Sequence, residues 1–238
     1  MESNKKIKNE QSKLSAKYAF YMIGLVAIVI LALILFGNQL KPLEEPKAID
    51  IDYSNQPFLG EESAPVSLIE FGDYKCPVCK NFSDNAVPTI LEELVDTGKV
   101  KFYYFNNAFI NIDSKRTAKF AESVYQELGN NMFWNFHDRI YEELPEDTKY
   151  EKDDYFTEKI LINILKEMAS VKEVEKVVDN FRSGKSDASL EKDIEHVEQL
   201  GVIGTPTIFI NGKEFDGSQS IDDLKKAVDK AIEEKNND

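Results

Sequence analysis

Residues 65 to 71, PVSLIEF, alternate apolar and polar positions up to Gly72-Asp73, the period-2 signature of a β-strand. A helix is expected next, from the cysteines at 76 and 79 through FSDNAVPTILEELVDTG, with Pro88 inside it as a kink. VKFYYFN, residues 100 to 106, is aromatic-rich and reads as a second strand. Strand, helix and strand in this order make a βαβ unit with a parallel pair. A long helical block follows. RTAKFAESVYQELG places Phe120, Ala121, Val124, Tyr125 and Leu128 at helical spacing. MFWNFHDRIYEEL, YFTEKILINILKEMA and VKEVEKVVDNFRSG supply further helices, and DASLEKDIEHVEQL carries Leu190, Ile194, Val197 and Leu200 on one face before stopping at Gly201. The pattern then returns to strands. TPTIFINGKEFDG is two short runs around Asn211-Gly212, a pair suited to a two-residue hairpin turn with positive φ at both positions, and SIDDLKKAVDKAIEE closes the chain as a helix capped by Ser220.

One apolar run is different in kind. Ala19 to Phe36 holds 18 uncharged residues, and as a helix it reaches about 27 Å, close to the thickness of a bilayer core. Lys5, Lys6, Lys8, Lys13 and Lys17 precede it, against Glu2 and Glu10, so the positive-inside bias places the N-terminus in the cytoplasm and the rest of the chain outside. A cleaved signal peptide is the competing reading. Its apolar region is usually shorter and ends in a small-x-small site, whereas this run ends LILFGNQL, which favours an uncleaved anchor. The expected organisation is a cytoplasmic N-terminus (1–18), a transmembrane anchor (19–37), a linker with Pro42 and Pro46 (38–56) and one domain (57–238). The whole chain carries a net charge of −14, and beyond residue 37 the balance of 24 Lys+Arg against 41 Asp+Glu is −17, which sets nucleic acid and anionic headgroups aside as ligands of that part.

The chain has two cysteines, and they stand three apart in Cys76-Pro77-Val78-Cys79. At a helix start the first sulfur faces unpaired N–H groups and the positive end of the dipole, which favours its thiolate; the second lies one turn in, positioned to resolve a mixed disulfide. A structural disulfide across two residues closes too short a loop to be an effective staple. A zinc site needs more ligands, and His137 and His196 lie far outside finger spacing, so no metal is expected. Glu70 shares a strand face with Val66 and Leu68, which aims its carboxylate the way core residues point or, at a strand edge, toward water. Phe133, Trp134, Phe136 and His137 read as packing.

A βαβ unit, a helical block and a ββα unit, with CPVC opening the first helix and Gly204-Thr205-Pro206-Thr207 before the returning strand, resemble the DsbA-like family of disulfide oxidases. FGDYKCPVCK with an N-terminal anchor is similar to the Gram-positive, membrane-tethered members of the BdbD type. The resemblance implies a thioredoxin fold interrupted by a helical insertion at about 113–185. It implies Cys76 and Cys79 as the redox-active pair without a further cofactor, a cis Thr205-Pro206 bond offering backbone to an extended substrate, and a proton-relaying pair of Glu70 and Lys101. Reduced exported proteins would be the clients, and a quinone-linked, DsbB-like membrane oxidase would restore the disulfide. Val78 stands where the best-known oxidases have histidine. Two other readings remain: the same fold run as a reductase or isomerase, and a tethered peptide-binding module without turnover.

Overall fold

The computed structural model describes residues 21, 22, 24–26, 31, 49, 51–215 and 220–237, and the chain divides into two units, 1–47 and 48–238. In the first unit Tyr21, Met22, Gly24, Leu25, Val26 and Leu31 are helical. Most of the expected anchor at 19–37 lies outside the described residues, and among the described residues no helix is long and apolar enough to cross a membrane.

The second unit is built on a five-stranded sheet: β1 (Phe58–Leu59), β2 (Val66–Gly72), β3 (Val100–Asn106), β4 (Thr207–Ile210) and β5 (Lys213–Glu214), in the order β1-β3-β2-β4-β5. β2 and β3 are parallel, with Val66 opposite Val100, Leu68 opposite Phe102 and Glu70 opposite Tyr104; the other three pairings are antiparallel. Because side chains alternate across a strand, this register puts Val66, Leu68, Glu70, Phe102 and Tyr104 on one face of the sheet. Ile69, Phe71, Tyr103, Phe105 and Phe209 occupy the other. Both faces are covered.

The expected long helix after β2 is three pieces: α1 (Pro77–Asn85), α2 (Val87–Ile90) and a single π turn, Leu91–Val95. Pro88 lacks an N–H and its ring clashes with the preceding turn, so the helix stops at Ala86 and restarts with the proline in its first turn. Four helices then form the insertion: α3 (Ile112–Leu128), α4 (Asn130–Glu143), α5 (Glu158–Lys166) and α6 (Val171–Ser183). α3 opens on a reciprocal capping box between Asn111 and Ser114. α7 (Asp187–Leu200) and the C-terminal α8 (Ile221–Asn237) complete the unit. The first sheet face, the α1–α2 region, the insertion and Leu224 and Val228 of α8 share one apolar core; the second face packs against Val197 and Val202 from the end of α7 and just beyond it. The order is that of a thioredoxin fold with a helical insertion.

Residues 51–56, expected in the linker, belong to the domain. Ile51 is buried in the second core, the Asp52 N–H donates to His196 Nε2 at 3.3 Å, and Gln56 Nε2 donates to Asp193 Oδ1 at 2.6 Å. The segment looks polar because its partners are polar groups on α7. The hairpin turn has Asn211 at φ 47° and Gly212 at φ 78°; a Cβ at Gly212 would also lie 2.3 Å from the Ile49 carbonyl oxygen, so glycine is required twice over.

A buried ion pair joins the β2–α1 loop to the insertion. Lys75, with no exposed side-chain surface, places Nζ 3.0 Å from Asp113 Oδ2, donates to the Asp153 carbonyl at 2.8 Å and also to the Tyr150 carbonyl. The same Asp113 oxygen accepts the N–H groups of Tyr155 at 2.8 Å and Phe156 at 2.9 Å. Asp113→Ala leaves the ammonium without its counter-charge in the interior. That substitution should lower unfolding stability by about 3–5 kcal/mol in urea titrations, whereas the paired Lys75→Met, Asp113→Asn variant, which removes both charges and keeps an acceptor for the Tyr155 and Phe156 N–H groups, should lose less.

Candidate active site

The first sulfur sits where a chain of local constraints puts it. Pro77 occupies the first turn of α1, making Cys76 the N-cap with φ −83° and ψ 116°. The Cys76 N–H donates to the Asp73 carbonyl at 2.9 Å, and the Cys79 N–H donates to Cys76 Sγ at 3.3 Å. Asp73 is itself tied down: Oδ1 accepts from the Lys75 N–H at 2.8 Å, and Oδ2 from the N–H groups of Phe109 and Ile110 at 3.0 Å each. The loop before the cysteines is therefore held from two sides. Across from it, the Thr205–Pro206 bond is cis, as the resemblance implied, and Cys76 Sγ lies 3.5 Å from the Thr205 carbonyl oxygen. Pro206 is buried, and Val78 is half exposed beside the pair.

Both sulfurs are thiols, and their surroundings pull them apart. A hydrogen bond from the Cys79 thiol, assisted by Thr205 and the N–H groups of Cys79 and Val78, lowers the Cys76 pKa to about 6. Cys79 is fully buried; burial, then its hydrogen bond to Cys76 and the nearby Glu70 carboxyl, push its thiol far up. One turn of helix separates a group that holds its charge from a group that refuses it.

Glu70 has no solvent exposure, and neither carboxyl oxygen has a hydrogen-bond partner among the described residues. Burial, with the Cys76 charge second, raises its pKa to about 8. The expected partner is not there. Lys101 stands opposite Ser67 in the sheet, on the other face from Glu70, and its Nζ donates to the Glu62 carbonyl at 3.2 Å. The structure thus brings Cys76, Cys79, Thr205, Pro206 and Glu70 together and leaves Lys101 out.

The chain as a whole is similar to known proteins in both sequence and structure. The family model described as thioredoxin matches residues 52–230. A probable disulfide bond formation protein D from Bacillus anthracis is 36% identical over 180 residues, covering 76% of this chain and 80% of that protein. Disulfide bond formation protein D from Bacillus subtilis is 33% identical over 180 residues, covering 76% and 78%. The crystal structure of oxidised BdbD from Bacillus subtilis matches with a TM-score of 0.71 at 29% identity, covering 80% of this chain and 100% of that one. The chain belongs to the disulfide bond formation protein D family of thioredoxin-fold proteins. It is a thiol:disulfide oxidoreductase.

What sequence reasoning missed in this BdbD-type site is its floor. Tyr74 of the cysteine loop is buried against Tyr104, Tyr141 and His137. Tyr74 Oη and His137 Nδ1 are 3.1 Å apart, the Tyr104 and Tyr141 hydroxyls are 3.2 Å apart, and Tyr141 donates to the Asp73 carbonyl at 3.4 Å. Burial alone drives His137 down to about 3, so the ring is neutral and packs edge-on against Tyr104 with centroids 4.5 Å apart. The signal was present in part: Tyr104 occupies the fifth position of β3 as Glu70 does of β2.

In the reduced protein, Cys76 should alkylate with iodoacetamide along a curve centred near pH 6, whereas an ordinary thiol at 9.0 would still be rising. The stability consequence has a definite sign. Between about pH 6 and 9 the unfolded chain binds a proton that native Cys76 has released, so this contribution grows with pH and is lost as pH falls through about 6.

Proposed function

We propose that the chain is a membrane-anchored, extracytoplasmic oxidase that introduces disulfide bonds into exported proteins through Cys76 and Cys79. The observation that carries this reading is the placement of the two sulfurs: Cys76 caps α1 and accepts the Cys79 N–H at 3.3 Å, whereas Cys79, one turn on, is fully buried. A client thiolate attacks Cys76 Sγ of the Cys76–Cys79 disulfide; the S–S bond breaks, and Cys79 leaves as a thiolate. Glu70, protonated at neutral pH, supplies the proton that this buried sulfur needs. A second client thiolate then attacks the client sulfur of the mixed disulfide, and Cys76 departs as a stabilised thiolate. Two electrons pass from client to enzyme. Each unit by which the Cys76 pKa falls favours the reduced dithiol by about 30 mV, which makes the disulfide a stronger oxidant.

Re-oxidation falls to a quinone-linked, DsbB-like membrane oxidase, and the Lys-rich N-terminus with the apolar run 19–37 supports an anchor whose catalytic domain lies outside. Thr205 and Pro206 border Cys76 where an extended client segment would lie. A reductase or isomerase is the second reading, favoured by one observation: Val78 is apolar and half exposed, so the position next to Cys76 adds no charge to hold the thiolate. A potential near thioredoxin's, about −270 mV, would support the reductant, and one well above it the oxidase.

Replacing Cys79 with serine should trap clients on Cys76 as reducible higher-mass bands, because the mixed disulfide loses its intramolecular escape. Cys76→Ser should trap almost none, since Cys79 is buried and its thiol is raised. Equal trapping by both variants would refute the division of labour, and no adducts from either would favour a non-catalytic binding module. In intact cells, a thiol reagent that cannot cross membranes should label reduced Cys76; labelling only after lysis would place the domain inside.

A further inference from the structure

Lys101, which the sheet register turns away from Glu70, has company where it stands. It lines a surface cleft of about 360 Å³ together with Lys213, Lys235, Ser67, Asn211 and a single acid, Glu234. Two of the three ammonium groups are held in place without being neutralised. Lys101 Nζ donates to the Glu62 carbonyl at 3.2 Å and Lys235 Nζ to the Pro65 carbonyl at 3.1 Å, and neither has a carboxylate partner among the described residues. Lys213 forms a loose pair with Glu234 at 3.9 Å, and Glu234 also faces Lys230 at 3.5 Å. Many lysines elsewhere on the domain are met by acids at close range, as in Lys99–Asp229, Lys119–Asp187 and Lys192–Asp52. Even with Glu62, whose carboxylate acts on Tyr103, cations exceed anions at this cleft.

The cleft occupies the pole of the sheet remote from the cysteines. Ser67 and Lys101 stand at the starts of the parallel strands β2 and β3, and Asn211, at the β4–β5 turn, exchanges hydrogen bonds with Ser67. Cys76 follows the far end of β2, and seven residues of strand at about 3.3 Å each put roughly 20 Å between the two ends. The chain also enters the domain at the cleft: the Ile49 N–H bonds the carbonyl of Gly212, which lies between Asn211 and Lys213. From the end of the apolar run at 37, the intervening residues 38–48 reach at most about 40 Å however they are arranged.

We infer that this cleft docks on anionic phospholipid headgroups of the membrane in which the chain is anchored. The inference rests on the anchor reading. The domain as a whole is acidic, but at physiological ionic strength charges are screened beyond about 8 Å, so the pole nearest the bilayer decides the sign of the interaction. A headgroup phosphate in the cleft meets the ammonium donors of Lys101, Lys213 and Lys235. Docked, the domain turns Cys76 away from the bilayer and toward exported chains; a membrane enzyme that restores the disulfide meets the undocked domain.

The test places the full-length protein in vesicles of phosphatidylcholine, alone or with phosphatidylglycerol, and follows acetylation of each lysine by a water-soluble reagent with mass spectrometry. Phosphatidylglycerol should slow acetylation of Lys101 and Lys235 about fivefold, the weight of one basic residue at an anionic surface, and high salt should restore it. Lys149, next to the Tyr150 carbonyl that Lys75 holds, should label alike in both vesicles. Lys213→Gln with Lys235→Gln should abolish the slowing at Lys101, whereas Lys213→Arg with Lys235→Arg should keep it. Equal labelling in the two vesicle types, on protein that floats with both, would overturn the docking and leave the anchor standing. Failure to float with phosphatidylcholine vesicles would overturn the anchor and the docking with it. Equal slowing of Lys101 and Lys235 by inorganic phosphate in phosphatidylcholine vesicles would make the cleft a site for soluble phosphate instead, and equal slowing at Lys149 would reduce the effect to general shielding.

Discussion

The site depends on one hydrogen bond at one helix start. Because Pro77 fixes the first turn of α1, the Cys79 N–H reaches back 3.3 Å to the Cys76 sulfur, and that same geometry forces Cys79 inward onto the sheet. A single turn of helix therefore does two opposite things. The Cys79 thiol, helped by the N–H groups of the turn, stabilises charge on the sulfur at the helix mouth, while burial denies charge to the sulfur beneath. The cis Thr205–Pro206 loop, the neutral Glu70 and the tyrosine floor all have their chemical meaning relative to that axis.

Much of the domain was legible because its signals were local. The alternation of PVSLIEF, the Asn211-Gly212 turn and the Ser220 cap, whose Oγ accepts the Asp223 N–H at 3.2 Å, each depend on residues a few positions apart. The helix break at Pro88 was half legible: the proline announced a disturbance, but not that the chain would recover through a π turn. Glu70 was placed on the correct face by period alone. Lys101 failed because pairing it with Glu70 required the register between two strands, and moving by one residue exchanges the faces. Residues 51–56 were misread for a similar reason. Their polar side chains look like those of a solvated tether until His196 and Asp193 on α7 are seen to meet them.

The charged residues of FGDYKC posed the hardest problem for sequence reasoning. Asp73 and Lys75 look like ordinary surface charges, yet both are buried. Asp73 fastens the loop to the chain after β3, and Lys75 fastens it to the start of α3 and to the stretch from Tyr150 to Asp153. Their partners lie tens of residues away, beyond the reach of any periodicity. The insertion is thus joined to the cysteine loop by charge as well as by apolar packing.

The docking of residues 49 and 51–59 has a mechanical consequence. The Ile49 N–H bonds the Gly212 carbonyl at 3.2 Å, Ile51 is buried among Ile69, Phe71 and Phe105, and Phe58 pairs with Tyr103 at the sheet edge. Any pull transmitted along the chain from its N-terminal side is borne first by these contacts, on the face of the sheet opposite Glu70 and Cys79. The buried contacts of Ile51 and the chemistry are on opposite sides of one β-sheet, so a pull on the N-terminal segment acts first on the back of the domain.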